Sequence, residues 1–254
     1  MDGVQSANSQ VSLPSARLAR LQSDWLAGAR ARLLRQAKIH RASSILDLAC
    51  GWGQTTLELA QRCSAKVTGI DLNSFAVDVA RNSIPDQLKH RVTFDLGDAH
   101  CLPFEPKTFD LVFTQCSLLW IKQRELALSE CRRVLKPNGC LAMIEPDYGG
   151  LMEHPPEVAC RDLWVSLILQ AGGDPRIGRS LPGLCRSSGF DTHVYFLDRY
   201  IPPHPSYLEF LKELPATKAQ LLSIELIESR SKLLSSIDLV IHLPFWLLIA
   251  RPVG

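Results

Sequence analysis

The chain has 254 residues, 46% hydrophobic and 21% charged, which suits one α/β domain with an elaborated edge, or one and a half domains, with ample core. Lys and Arg number 28 against 26 Asp and Glu, leaving +2, so no global field for a polyanion or a membrane surface is implied. The longest apolar, uncharged run, Leu239 to Ala250, contains His242 and Pro244 and falls short of the ~20 residues of a membrane span. It reads as a buried strand.

The start, MDGVQSANSQ, has no basic segment followed by an apolar one, so no secretory signal is expected and the chain is expected to be cytoplasmic. The eight cysteines, at 50, 63, 101, 116, 131, 140, 160 and 185, form no CxxC pair and no Cys/His cluster at zinc spacing. They read as reduced, mostly buried thiols, and no metal is expected.

Residues 1 to about 14 form a polar leader. From Ser15 to Arg41 a helical face is predicted through Leu18, Leu21, Trp25, Leu26, Leu33 and Leu34. Seven Arg or Lys against one Asp in this stretch read as a solvated helix face, with a nucleic-acid-facing helix as the alternative. Residues 1–41 are therefore set apart as leader and helix from a second unit at 42–254.

In that unit, short apolar runs alternate with amphipathic stretches. Strands are predicted at 43–48, 66–71, 91–96, 109–115 and 139–145, with helices at 53–62, 74–83 and 123–135. The helix at 74–83 places Phe75, Ala76, Val79 and Ala80 on one face with Ser74 as its cap. Pro137-Asn138-Gly139 reads as a turn leading into the fifth strand. This alternation predicts a doubly wound, Rossmann-like, mostly parallel sheet with right-handed crossovers. Beyond it, helices are predicted near 157–170 and from Leu181-Pro182. A strand near 190–200, a helical stretch at 205–236 broken at Pro215, and a last strand near 243–250 follow.

The chemistry sits in Ile45-Leu46-Asp47-Leu48-Ala49-Cys50-Gly51-Trp52-Gly53-Gln54-Thr55-Thr56, a strand ending near an acid, a glycine turn and a helix start. Gly51 and Gly53 let the backbone turn sharply and let a ligand approach. The helix amides beside them suit a carboxylate. Asp71 ends the next strand, where it can accept from two vicinal ribose hydroxyls. A dinucleotide fingerprint wants a third glycine at Thr56 and has no use for the carboxylate of Asp47, which would repel a pyrophosphate. The same acid suits an ammonium group. The ligand so described has an amino-acid end and a ribose.

The arrangement resembles the class I S-adenosylmethionine-dependent methyltransferases. Gly97-Asp98-Ala99 with Leu102-Pro103-Phe104 looks like that family's turn after the third strand, and Phe104–Phe113 like its entry into the fourth. Gln115-Cys116 looks like the fourth strand's end, and Arg133–Cys140 like the approach to the fifth. Together these span about 43–148, and the nearest subgroup looks like the small-molecule enzymes related to ubiquinone and menaquinone biosynthesis. The resemblance implies a seven-stranded sheet, a helical lid insertion at 205–236 and S-adenosylmethionine as cofactor. It implies cofactor contacts from Asp47, Ala49, Gly51, Trp52, Gly53, Asp71, Leu72, Asp98, Ala99 and Gln115. Ala49 stands where many members have glycine, which fits if it keeps ordinary strand dihedrals.

Bland readings stand beside these. Asp98 is alternatively a turn residue, and Asp47 alternatively caps backbone amides. Trp52 covers the ligand or packs on the first helix, and Trp120 belongs to the core or to a substrate platform. His40, His90 and His100 read as loop residues without a partner in the sequence. The acceptor site is expected at Glu145, Asp147 and Tyr148, where either carboxylate takes a proton and the tyrosine orients the nucleophile. The alternative is that Glu145 accepts backbone hydrogen bonds while Tyr148 packs under the lid. Arg179 and His204 are more distant candidates. The activity expected is methyl transfer to an O, N or C nucleophile of a small molecule, with neither nucleic acid nor membrane as partner. The alternatives are an RNA methyltransferase using the basic helix and a nicotinamide-dependent oxidoreductase.

Overall fold

A computed structural model describes residues 13–196, 206–234 and 238–253. Its elements in chain order are α1 (Ala16–Gln36), β1 (Ser44–Leu48), α2 (Gln54–Arg62), β2 (Lys66–Asp71), α3 (Ser74–Asn82), β3 (Val92–Leu96) and β4 (Phe109–Gln115). They continue with α4 (Arg124–Val134), β5 (Leu135–Pro146), β6 (Met152–His154), α5 (Arg161–Gln170), α6 (Ile177–Ser187) and β7 (Phe190–Phe196). The last are α7 (Tyr207–Glu213), α8 (Lys218–Ser231), β8 (Val240–His242) and β9 (Phe245–Pro252).

The main sheet has seven strands in the order β3-β2-β1-β4-β5-β9-β7. The first five pair in parallel, and β9 runs antiparallel to both β5 and β7. The predicted mostly parallel, doubly wound sheet is thus observed. Parallel strands are buried on both faces, and two cores form accordingly. On one face, Leu26 and Leu33 of α1, Leu59 of α2 and Val77 of α3 pack on Ile45, Phe94 and Phe113. On the other, Leu128 of α4, Leu167 of α5, Leu181 of α6 and Ile224 of α8 pack on Leu46, Val112 and Met143. Strand order reverses between β1 and β4, so the carboxyl ends of β1, β2 and β4 flank the crevice where such sheets hold ligands.

Several boundaries differ from the predicted ones for identifiable reasons. Asn73 rather than Ser74 caps α3, its side chain accepting from the Ala76 amide at 3.0 Å. The buried face of α3 is Ala76, Val77 and Ala80, whereas Phe75 is 67% exposed because it lies in the first turn against Trp52. Pairing of β5 with β4 begins at Leu135, so Pro137-Asn138-Gly139 is an irregularity inside a strand, with the register shifting between Phe109 and Leu111. α6 starts at Ile177 and carries Pro182 inside it. The run 239–250 is two strands, because Pro244 separates β8, paired with β6, from β9. The predicted solvated face of α1 is also incomplete. Arg30 is 1% exposed and points into the protein.

Candidate active site

The glycine turn between β1 and α2 is built from left-handed residues: Ala49 at φ 56°, Gly51 at 51° and Gly53 at 83°. Gly53 forms the N-cap of α2, and a Cβ there would sit 2.6 Å from Phe94 Cζ and 2.9 Å from Ala80 Cβ. Space as well as dihedral therefore demands glycine at that position. Ala49 departs from the expected strand dihedrals. A left-handed residue with a Cβ costs about 1–2 kcal/mol more than glycine there. Glycine gives back about 0.5–1 kcal/mol through the unfolded chain's entropy. Ala49→Gly is expected to raise stability by up to about 1.5 kcal/mol, measured by chemical denaturation, and a destabilised variant would refute that account of the strain.

Three carboxylates from the ends of successive strands line one cavity with this turn. Asp47 of β1 is 2% exposed and accepts from the Thr56 hydroxyl at 2.6 Å. Burial pushes its acid up to about 7, against the Thr56 hydrogen bond and the nearby Arg30 charge. Thr56 fills the place of the missing third glycine, and the room it needs comes from β2, where a Cβ on Gly69 would lie 2.8 Å from the Thr56 hydroxyl. Asp71 ends β2, with Oδ2 accepting from the Gly51 amide at 2.7 Å and Oδ1 from the Asn73 amide at 2.9 Å. A carboxylate has about four lone-pair positions, so both oxygens keep capacity for a ligand. Asp98 follows β3 and is half-exposed. Its Oδ1 accepts from the His100 amide at 2.9 Å and lies 2.6 Å from Nδ1 of the same histidine. His100, read as partnerless, thus has a partner two residues away, a local side-chain turn that the Asp-x-His spacing signals.

Asp47, Ala49, Gly51, Asp71, Asp98 and His100 line a cavity of about 590 Å³, within the size range of small-molecule sites, whereas Gly53, expected as a cofactor contact, is outside its lining. Leu72, 57% exposed, Ala99 and Gln115 also face it. Trp52 lines it as well, with Nε1 donating to the Pro14 carbonyl at 2.9 Å and the ring set edge-on to Phe75. Trp120 faces the cavity while packing on the core below, so both of its readings describe one side chain. Trp120, Pro146, Tyr148, Trp164, Ile168 and Phe210 add a largely apolar part of the lining. α1 contributes Gln22 and Ser23, which sequence reasoning missed because their polar side chains resemble any solvated turn of a helix. The start of α1 is tied to α7, since the Ser15 amide donates to Glu213 at 2.7 Å and Arg17 pairs with Glu209.

The expected acceptor residues separate. Tyr148 reaches the cavity, stacked on Trp164 at a centroid distance of 4.6 Å, and burial raises its phenol well above the ordinary range, so it stays a donor. Glu145 lies beneath the floor, fully buried, with Oε1 accepting from the Ser117 and Leu118 amides at 2.9 Å each. Burial lifts its acid to about 7, against those amides. Asp147 is also outside the cavity lining, held by Arg179 Nε at 2.6 Å. His204 lies outside the described residues. Of the cysteines, all eight are free thiols, and Cys101 is exposed rather than buried. Among the described residues no helix is long and apolar enough to cross a membrane.

Residues 45–139 match the family model described as a methyltransferase domain. Methyltransferase GfsG of Streptomyces halstedii is 32% identical over 123 residues, 48% of this chain and 44% of that protein. A demethylmenaquinone methyltransferase of Lactiplantibacillus plantarum is 38% identical over 119 residues, 44% of this chain and 50% of that protein. The chain thus spans about half the length of the curated relatives it matches. Among solved structures, the YcgJ protein of Bacillus subtilis shares the fold at a TM-score of 0.66 and 17% identity, over 90% of this chain and 99% of that one.

Proposed function

We propose, from the premise that this chain carries a domain of the class I S-adenosylmethionine-dependent methyltransferase family, that the protein transfers a methyl group to a small molecule. The observation that carries the reading is the convergence of Asp47, Asp71 and Asp98 on one cavity at the carboxyl ends of adjacent strands. Asp71 would hold the ribose hydroxyls, Asp98 the adenine amino group and Asp47 the ammonium, with the Gly51–Gly53 turn against the amino-acid end. Held by these residues, the cofactor would supply a methyl group activated by its cationic sulfur for transfer to an electron pair of the acceptor, with S-adenosylhomocysteine as the leaving group.

What the chain then has to do is hold the acceptor in line and exclude water, and such orientation is worth up to about 7–11 kcal/mol. The wall of Trp120, Tyr148 and Trp164 supplies an apolar, rigid surface for that purpose. The helices α7 and α8 would act as its lid. With Glu145 and Asp147 set outside the lining, an acceptor that arrives already nucleophilic suits the cavity best. The matched relatives named as methyltransferases include one named for demethylmenaquinone, which favours a small acceptor. For the dinucleotide alternative, the buried Thr56–Asp47 pair stands where a pyrophosphate turn needs glycine. For the RNA alternative, α1 turns Arg30 inward, which leaves the helix less basic outside than its composition suggests.

The test is isothermal titration of the folded protein with S-adenosylmethionine and S-adenosylhomocysteine. Saturable binding of both is expected, and binding of neither would overturn the reading. Stabilisation by a nicotinamide dinucleotide instead would select the oxidoreductase, because only a ligand that binds the folded state shifts its melting.

A further inference from the structure

Arg30 is the one basic residue of α1 that the core takes in, and its partners define a device. Its Nε donates to Glu58 Oε2 at 2.9 Å, its Nη2 pairs with the same oxygen, and its Nη1 donates to Gln115 Oε1 at 2.9 Å. Glu58 neutralises the guanidinium, so Gln115 is not needed to balance the charge. What the third contact does is orient the amide. A guanidinium has donors only, so the carboxamide must turn its oxygen to Arg30 and its NH₂ the other way. Gln115 ends β4 and lines the cavity, and its Nε2 has no hydrogen-bond partner among the described residues.

We propose that Arg30 is a positioning residue that holds the Gln115 amide with its NH₂ facing the acceptor half of the cavity, and that the methyl acceptor presents an oxygen lone pair there, as a carbonyl, enolate or phenolate does. This rests on the methyl-transfer reading above and adds to it a substrate class. Two donors at the end of β4 attract an electron-rich oxygen and disfavour an ammonium or N–H group at the same place. Trp120, Tyr148 and Trp164 line the same cavity as Gln115, with Tyr148 stacked on Trp164, so a flat ring carrying that oxygen suits both the amide and the aromatic lining. Placing an oxygen beside the reacting atom fixes which atom of the ring meets the methyl.

The experiment uses the full chain as wild type, Gln115→Glu, Arg30→Lys and Arg30→Met. S-adenosylhomocysteine is titrated first. Its failure to bind the wild type would overturn the methyl-transfer reading itself, and its binding lets the present proposal be judged separately. The saturated proteins are then titrated with 1-indanone, which only accepts hydrogen bonds, and with indole, a bicycle of similar size that only donates, followed by ligand-observed NMR. The wild type is expected to prefer 1-indanone by roughly fivefold, the worth of one neutral hydrogen bond. Gln115→Glu keeps a partner for Arg30, replaces the donor by an acceptor, and is expected to reverse the preference. Arg30→Lys retains a donor toward Gln115 Oε1 and should keep it. Arg30→Met frees the amide to flip and should erase it, the comparison being made at saturating cofactor product because loss of the Arg30 charge also lets the Asp47 acid rise. Equal binding of the two fragments by the wild type would overturn the proposal, as would an unchanged preference in Gln115→Glu. Should Arg30→Met fail to fold, those two comparisons still decide it.

Discussion

Asp71→Ala is expected to weaken S-adenosylhomocysteine binding by about 1.5–3 kcal/mol, a loss on the order of 10- to 150-fold, as for removing hydrogen bonds to a charged group. Two effects add. The ribose contacts proposed for this carboxylate disappear, and so do its grips on the Gly51 and Asn73 amides, which set the glycine turn against β2. Asn is no conservative replacement. Asp71 accepts one amide on each oxygen, and a carboxamide has a single oxygen, so its NH₂ would face either the Gly51 or the Asn73 N–H. Asp71→Asn is therefore expected to lose nearly as much affinity as Asp71→Ala. Titration calorimetry on folded variants measures both, and unchanged affinity in Asp71→Ala would show that the ribose is held elsewhere.

The parts of this site that were legible in the sequence are those whose demand on the backbone is local. A strand, an acid, two glycines and a helix start permit few conformations, so the turn at 49–53 and the acid ending β2 are legible in the sequence itself. Ala49 shows the limit of that reasoning, because a left-handed dihedral at a residue with a Cβ is set by the strands on either side and leaves no local mark. The cap and buried face of α3 differ from the sequence expectation for a related reason. Asn73 and Ser74 are equally good caps, and hydrophobicity groups Phe75 with Ala76, Val79 and Ala80 on one face although its ring stands exposed, edge-on to Trp52.

Arg30 was readable in principle. It stands four residues after Leu26 and four before Leu34, on the stripe of α1 that the sheet buries, and helical spacing alone places it inward. Composition argued the other way, since arginine is almost never fully buried unless paired, and its partner Glu58 lies on another helix. The acceptor wall was the least legible part. Trp164, Ile168 and Phe210 come from α5 and α7, whose position over β4 and β5 depends on packing at long range. Glu145 and Asp147 end a strand at the correct edge of the sheet. Side-chain direction then decides, sending Glu145 to the 117–118 amides and Asp147 to Arg179.

Asp47 carries the prediction in which stability and binding oppose one another. Its folded-state acid is pushed to about 7 by burial, whereas in an unfolded chain it ionises near the ordinary value of about 3.9. Between those values the folded protein holds a proton that the unfolded chain has released. Stability therefore falls as pH rises through this window, by up to about 1.4 kcal/mol per pH unit for such a group. Glu145, also raised to about 7, adds a slope of the same sign. Asp47→Asn keeps an oxygen for the Thr56 hydroxyl without the charge, so the unliganded variant is expected to be more stable than wild type at pH 8 and to show a shallower pH dependence, its remainder coming from Glu145.

Binding should move the opposite way. An ammonium group beside Asp47 requires the carboxylate, so at pH 6 the wild type must release close to one proton on taking up S-adenosylhomocysteine. Asp47→Asn should release none and bind about 1.5–3 kcal/mol more weakly at pH 7.5. Calorimetry at pH 6 in buffers of different ionisation enthalpy counts that proton directly. A variant that is stabilised yet binds with undiminished affinity and the same proton release would reduce Asp47 to a partner of Thr56. A variant that gains stability while losing both the proton and the affinity would mean that the fold keeps a buried acid at this position for the ligand, against its own stability.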